Sequence, residues 1–234
     1  VKEFDAKLIL LGRPGLPAPA EWEKWLLTHS PKHGVSRLIR RLQALGQEGE
    51  QFLWFSGNLA EADWVAAAVR EGVAQFGSTI NGVFHTGVMG DRASCGLSQL
   101  TDDDCERITH TKVKGIQTLQ QALQQALQQA LTDIPVDFYV LQSSLSAIVG
   151  GIGFGAYAAA NSYLDAYAAQ QNRTTTRWLS LNWDACELEE SNPPATSLDN
   201  KAQGAASELM ALAMFPEEVW QTTQRALAQS QSDF

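Results

Sequence analysis

Three side chains with reactive or polarising chemistry crowd one stretch, SLSAIVGGIGFGAYAAAN: Ser144, Tyr157 thirteen residues later, and Asn161 four beyond that. A spacing of four puts Tyr157 and Asn161 on one helix face, one turn apart. A serine hydroxyl and a phenol that meet at one carbonyl oxygen polarise it, and the phenol can give up its proton as hydride reaches carbon. An unperturbed tyrosine has a pKa of about 10 and is a poor acid-base group unless something shifts it; a nearby ammonium would favour the phenolate. The segment TKVKG, in the middle of a long helical stretch, offers Lys112 and Lys114 for that purpose.

Taken singly, each residue has an ordinary structural use. A serine after a strand serves as a turn or capping residue, a tyrosine in an alanine-rich helix packs with its hydroxyl satisfied, a helix lysine is solvated, and Arg13 fits a surface turn. A serine hydrolase is a poor alternative. Ser144 lies in QSSLS and not in a G-x-S-x-G elbow, and His29, His33, His85 and His110 show no evident pairing with it.

The elements that must position these residues alternate between short apolar runs and longer helical patterns. KLILL (7–11), QFLWF (51–55), INGVF (80–84), VDFYVL (136–141) and 178–181 read as strands. Helices are predicted over 21–27, 35–45, 59–76, 102–131 as one long helix, 156–171 and 217–228, the last opened by Pro216. The repeat LQQALQQALQQAL (119–131) places Leu and Ala at i and i+4 and extends the long helix. Strands alternating with such helices give an α/β fold, a doubly wound parallel sheet. VDFYVL delivers Ser144 to the C-terminal edge of that sheet, where open α/β sheets bind ligands. Residues 187–200, rich in acids, Pro and Ser, break the rhythm, and 186–215 is expected to form a substrate lid.

Bulk properties narrow the classes. The 234 residues suit one sizeable domain, 1–234, and a net charge of −9 disfavours nucleic acid and anionic membranes as partners. Cys95, Cys105 and Cys186 are scattered without a CxxC pair, so reduced thiols and no metal site are expected. No apolar run approaches the about 20 residues of a membrane span. The N-terminus lacks a signal-peptide layout, and the expected location is cytoplasmic.

The combination resembles the ketoreductase domain of modular polyketide synthases, within the short-chain dehydrogenase/reductase superfamily. Most members of that superfamily carry YxxxK. These ketoreductases carry YxxxN, as Tyr157-Ala-Ala-Ala-Asn161, and place the lysine on the preceding long helix in a K-V-x-G setting, as Lys112-Val113-Lys114-Gly115. LILLGRPGLP, INGVFHTGV, YAAANSYLDAYA, WLSLNWDAC and FPEEVW are similar to the same family. The resemblance implies NADPH-dependent reduction of a β-ketoacyl thioester, carried on the phosphopantetheine arm of an acyl carrier protein, to a β-hydroxyacyl thioester. Other synthase domains are implied as partners. It assigns Tyr157 as the general acid, Ser144 as a hydrogen-bond donor to the keto oxygen, Lys112 to lower the tyrosine pKa and hold ribose, and Asn161 to order the proton relay. For the cofactor it assigns Arg13 to the 2′-phosphate, Asn58 and Leu59 to adenine, and Thr86, Gly87 and Val88 to the adenosine ribose. Arg37, Arg40 and Arg41 are candidates for a basic patch facing the acidic carrier.

The sequence also departs from the family pattern. HTGV is one residue shorter than HAAGV, Asn58 stands for Asp, Pro14 for Ser, Val149 for the Trp of one stereochemical class and Phe154 for a common Gln. The Rossmann-like fold is expected to lack the first strand with its glycine-rich pyrophosphate turn, and the last strand. The chain alone is therefore expected to bind NADPH weakly. A non-catalytic, scaffolding ketoreductase-like domain is the alternative.

Overall fold

The computed structural model describes residues 5–12, 15–77, 79–86, 97–129, 136–151, 153–173, 176–186 and 213–229. It divides into two compact units, Val1–Ile80 with Gly115–Ile134, and Asn81–Lys114 with Pro135–Phe234. Both are α/β with parallel sheets, as the alternating pattern predicts.

In the first unit, β1 (Leu8–Gly12) pairs in parallel with β2 (Phe52–Ser56), Leu8 opposite Phe52 and Gly12 opposite Ser56. The connection carries α1 (Trp22–Thr28) and α2 (Gly34–Leu45). Trp22, Ile39, Leu42 and Phe52 form its buried core, with Leu8, Leu10 and Trp54 packed around them. The period of 3.6 in VSRLIRRLQAL thus buries Ile39 and Leu42 and leaves Arg40 and Arg41 exposed. Helix α3 (Ala62–Phe76) begins three residues later than the pattern predicts. Asn58 explains the delay: its Oδ1 accepts from Ala60 N at 3.0 Å and its Nδ2 donates to Glu61 Oε1 at 3.2 Å, a local turn competing with the helix. The helix ends where Gly77 takes the left-handed conformation at φ +61°.

The second unit has the strand order β3-β4-β5, all parallel: β3 (Gly82–His85), β4 (Phe138–Ser144) and β5 (Arg177–Trp183). Central β4 buries Tyr139, Val140 and Leu141. Tyr139 stacks on its cross-strand partner Trp178 at 3.9 Å between ring centroids, and burial pushes its phenol up to about 12. A glycine in β3 is tolerated because the Phe138 ring, directly opposite, lies where a Cβ would be: a Cβ on Gly82 would meet Phe138 Cζ.

Helix α4 (Asp102–Thr109) starts with a reciprocal cap. Thr101 Oγ1 accepts from Asp104 N at 3.2 Å, and Asp104 Oδ2 accepts from Thr101 N at 3.3 Å. The sequence reads as one helix over 102–131, but α4 and α5 (Gly115–Gln129) are separated by a π-helical turn, His110–Lys114. One extra residue in the turn breaks the 3.6 period, a local event that side-chain periodicity does not register. Leu119, Ala122 and Leu123 of the leucine repeat are buried while Gln121 and Gln124 are exposed.

The short α6 (Ser146–Val149) follows β4, and α7 (Gly155–Gln171) then packs on β4 and β5, burying Ala160, Asn161, Leu164 and Ala168. Helix α8 (Pro216–Ala228) has Pro at its first turn, as the sequence predicts. Arg177, opening β5, donates to the carbonyls of Leu227 and Ala226 at 2.6 Å each, a cation on a helix C-terminus. Of the expected lid, 187–212 lies outside the described residues. At its flanks, Cys186 and Met214 form a single parallel bridge. Cys105 and Cys186 are free thiols, and Cys95 lies outside the described residues.

The Gly82 packing gives a direct test. Gly82→Ala displaces the half-buried Phe138 ring from the strand, a cost of about 1 kcal/mol. Urea unfolding should show a lower midpoint at unchanged m-value.

Candidate active site

Ser144, Tyr157, Asn161 and Lys112 all fall in the second unit, on β4, α7 and the π-turn. Ser144 is the last residue of β4, paired with Trp183 of β5. Its Oγ accepts from Ser146 N at 3.2 Å, which turns the chain into α6. Tyr157 stands in the first turns of α7, and Asn161 lies one turn on, fully buried. Asn161 Nδ2 donates to the Tyr157 carbonyl at 3.0 Å, while its Oδ1 is buried and accepts no hydrogen bond from the described residues. A buried free acceptor costs about 1–3 kcal/mol, so such a group suits a donor brought by water or a ligand.

Lys112 is 3 % exposed, which distinguishes it from its neighbour Lys114, an exposed residue. Lys112 Nζ donates to the Gln142 carbonyl at 2.9 Å and lies 5.4 Å from the centroid of the Tyr157 ring. Burial pulls its pKa down from 10.5 to about 8, against the opposing influence of the Asp165 carboxylate. Gln142 is held in turn by Trp183, whose Nε1 donates to Gln142 Oε1.

Four residues support this group without standing out in the sequence as functional. His85, at the end of β3, is 3 % exposed, and its Nε2 lies 3.2 Å from the Lys112 carbonyl. Asn182 Nδ2 shares its two hydrogens among Asp165 Oδ2 at 2.8 Å, the Ser144 carbonyl at 3.2 Å and Ser143 Oγ at 3.3 Å. Asp165 also accepts from Ser180 Oγ at 2.5 Å. These bonds join α7 to the C-terminal ends of β4 and β5, where Ser144 sits. Asp165 was findable, since it follows Asn161 by four and shares its helix face. His85 carried a weaker signal, a strand-terminal position. Gln142 and Asn182 emerge only from the strand register.

The remaining sequence-predicted residues fall elsewhere. Asn58 and Leu59 lie in the first unit, where both ends of the Asn58 amide are used in the local turn before α3. Thr86 follows β3 and is exposed. Arg13, Gly87 and Val88 lie outside the described residues. Near Tyr157, α6 presents Ile148 and Val149, 70 % and 77 % exposed, and the Phe154 ring lies 6.1 Å from the Tyr157 ring. Among the described residues no helix is long and apolar enough to cross a membrane.

A parallel α/β fold that ends a central strand on serine, with tyrosine on the following helix and a buried lysine before it, is that of the short-chain dehydrogenase/reductase class. A family model described as "KR domain" matches residues 3–187, and the chain belongs to this ketoreductase domain family. A phenolphthiocerol/phthiocerol polyketide synthase of Mycobacterium tuberculosis (strain H37Rv) is 30% identical over 181 residues, 76% of this chain and 9% of that protein. Mellein synthase of Phaeosphaeria nodorum is 25% identical over 186 residues, 79% of this chain and 10% of the synthase. The chain thus spans about a tenth of the length of these curated relatives. Among solved structures, an A-type ketoreductase from a modular polyketide synthase superposes with a TM-score of 0.64 at 23% identity, covering 95% of this chain and 40% of that one. The KRED1-Pglu enzyme gives 0.63 at 15% identity, covering 91% and 90%. Both likenesses concern the fold.

His85 makes this site acid-sensitive. Burial, assisted by the Lys112 charge, lowers its pKa from 6.5 to about 4. The unfolded chain therefore binds a proton that the folded chain excludes between these values, and stability is lost as pH falls from 6.5 towards 4, by about 3 kcal/mol in all. Denaturant unfolding at pH 7 and pH 4.5 should show this loss, and His85→Gln should remove most of that difference.

Proposed function

We propose that this chain is the ketoreductase domain of a larger polyketide synthase and reduces a β-ketoacyl thioester on an acyl carrier protein to the β-hydroxyacyl thioester, with NADPH as cofactor. The observation that carries the reading is the buried Lys112 ammonium beside the Tyr157 ring, in the unit that also holds Ser144 and Asn161. A scaffold has no use for a desolvated lysine at this position, and its cost argues for retained chemistry.

The side chains fit the nicotinamide end of the cofactor. Lys112, Tyr157 and Ser144 supply donors, Asn161 Oδ1 is an unused buried acceptor, and Thr86 follows the end of β3. NADPH, when bound, supplies the hydride. Tyr157 gives its hydroxyl proton to the keto oxygen as the carbon is reduced, so the C=O double bond becomes C–H and O–H. Ser144 donates a hydrogen bond to the same oxygen and stabilises the charge that develops on it. Lys112 would hold the ribose of the bound cofactor and, as the nearby cation, would stabilise the negative charge that proton transfer leaves on the Tyr157 oxygen, and Asn161 would order the water that returns the proton. Arg13 is suited to the 2′-phosphate fork. Asn58, Leu59, Gly87 and Val88 are assigned to the adenosine portion by the family pattern. Exposed Ile148 and Val149, with Phe154, offer an apolar surface suited to an acyl chain. Arg40 and Arg41, exposed on α2, and the half-buried Arg37 of the same helix are candidates for meeting the acidic carrier.

Tyr157→Phe in the intact synthase should lower kcat for NADPH-dependent reduction by about 100-fold or more, with the melting temperature unchanged. Undiminished turnover would remove Tyr157 from the mechanism. The Lys112 ammonium is present below its pKa of about 8 and lost above it, so kcat/KM should fall as pH rises through about 8. A profile still rising there would contradict the role given to Lys112.

A further inference from the structure

The buried imidazole of His85 has no part in the proton transfer just described, yet it touches the segment that carries the lysine. We infer that His85 is a positioning residue: by donating from Nε2–H to the Lys112 carbonyl, it fixes the π-turn that aims the Lys112 ammonium at the Gln142 carbonyl and the Tyr157 ring. The inference deepens the reductase reading and rests on it for its functional consequence, although the tether itself does not.

Three observations combine. First, the 3.2 Å contact joins His85 to the main chain of Lys112, two residues that are each 3 % exposed. A carbonyl can only accept, so the ring must carry its proton on Nε2. Second, Lys112 sits at the centre of the five-residue π-turn His110–Lys114, between two α-helical segments. A π-turn is less favourable than continuing the α-helix and persists where outside partners hold it. His85 grips this turn by its main chain and Gln142 grips it by the lysine side chain, so the two bonds act on one residue from β3 and β4. Third, burial and the Lys112 charge keep His85 neutral at physiological pH, with a pKa of about 4. A neutral imidazole donates this bond without setting a second cation beside the ammonium.

The ionisable groups around Lys112 are His85 on β3, Tyr157 and Asp165 on α7, and His110 and Lys114 on its own turn. The electrostatic influence of Asp165 favours the ammonium, and its side chain is committed to Ser180 and Asn182. A shift in Lys112 titration on changing His85 therefore reports the geometry of the turn, provided Asp165 and Tyr157 are left intact.

The test is nitrogen-15 NMR on the 234-residue chain, which needs no turnover. The wild-type His85 ring should be the neutral Nε2–H tautomer at pH 7 and should remain so at pH 5. In His85→Leu, the amides of residues 110–115 should exchange about tenfold faster, and the acid dissociation constant of the Lys112 ammonium should fall about tenfold as it becomes hydrated. His85→Gln, whose amide nitrogen can occupy the Nε2 position, should restore both to near wild-type values. An Nδ1–H tautomer, or a Lys112 titration in His85→Leu indistinguishable from wild type, would overturn the proposal. Should His85→Leu fail to fold, the wild-type tautomer and the His85→Gln titration still decide it. If the tether is found but the intact synthase reduces no β-ketoacyl thioester, it is the reductase reading that has failed.

Discussion

Burying an ammonium is costly, and the second unit of this protein is organised around one. Lys112 has surrendered nearly all its contact with water, and its pKa is pulled down to about 8. The desolvation cost of a lone buried charge runs to several kcal/mol, so the partners that offset it must be held in place. They are the Gln142 carbonyl, the face of the Tyr157 ring and, less directly, the Asp165 carboxylate. Gln142 lies on the central strand and Tyr157 on the helix that covers it. The cation therefore ties strand, helix and π-turn into one arrangement, and movement of any of them exposes an unmatched charge.

Ser144 is fixed by a second, complementary set of bonds. Asn182 holds the main chain at the end of β4 and is itself held by Asp165, one turn beyond Asn161 on α7. The helix that carries Tyr157 and the strand that carries Ser144 are thus linked through side chains on their shared flank. The proposed chemistry needs a phenol and a hydroxyl whose separation does not drift, since a misplacement of about 1 Å costs around 100-fold in rate. A polar network below the reacting groups provides that rigidity without using their own hydroxyls.

Much of this was legible in the residues. The alternation of VDFYVL, a glycine-rich stretch and YAAAN placed Ser144, Tyr157 and Asn161 on the correct elements because strand and helix periods are local properties. The family pattern favours Lys112 over Lys114; that the two differ in burial depends on the fold and is not readable from composition. The interruption at His110–Lys114 was hidden because a one-residue π insertion leaves the hydrophobic spacing on either side intact. The late start of α3 was hidden by a turn that Asn58 builds from its own amide. His85, Gln142 and Asn182 escaped notice because their roles depend on which residues face each other across β3, β4 and β5, and a parallel register joins residues far apart in the chain.

In the proposed reaction, the reducing equivalent reaches the β-carbon of a ketoacyl thioester in the domain built on Tyr157 and Lys112. An isotope label decides whether it does: the intact synthase is given a β-ketoacyl thioester and NADPH doubly deuterated at C4, and the product is analysed by mass spectrometry. The expected product is a β-hydroxyacyl thioester carrying one deuterium at the hydroxyl-bearing carbon, formed by wild type and absent with Tyr157→Phe. An unreduced thioester beside unconsumed cofactor in the wild-type reaction would contradict it.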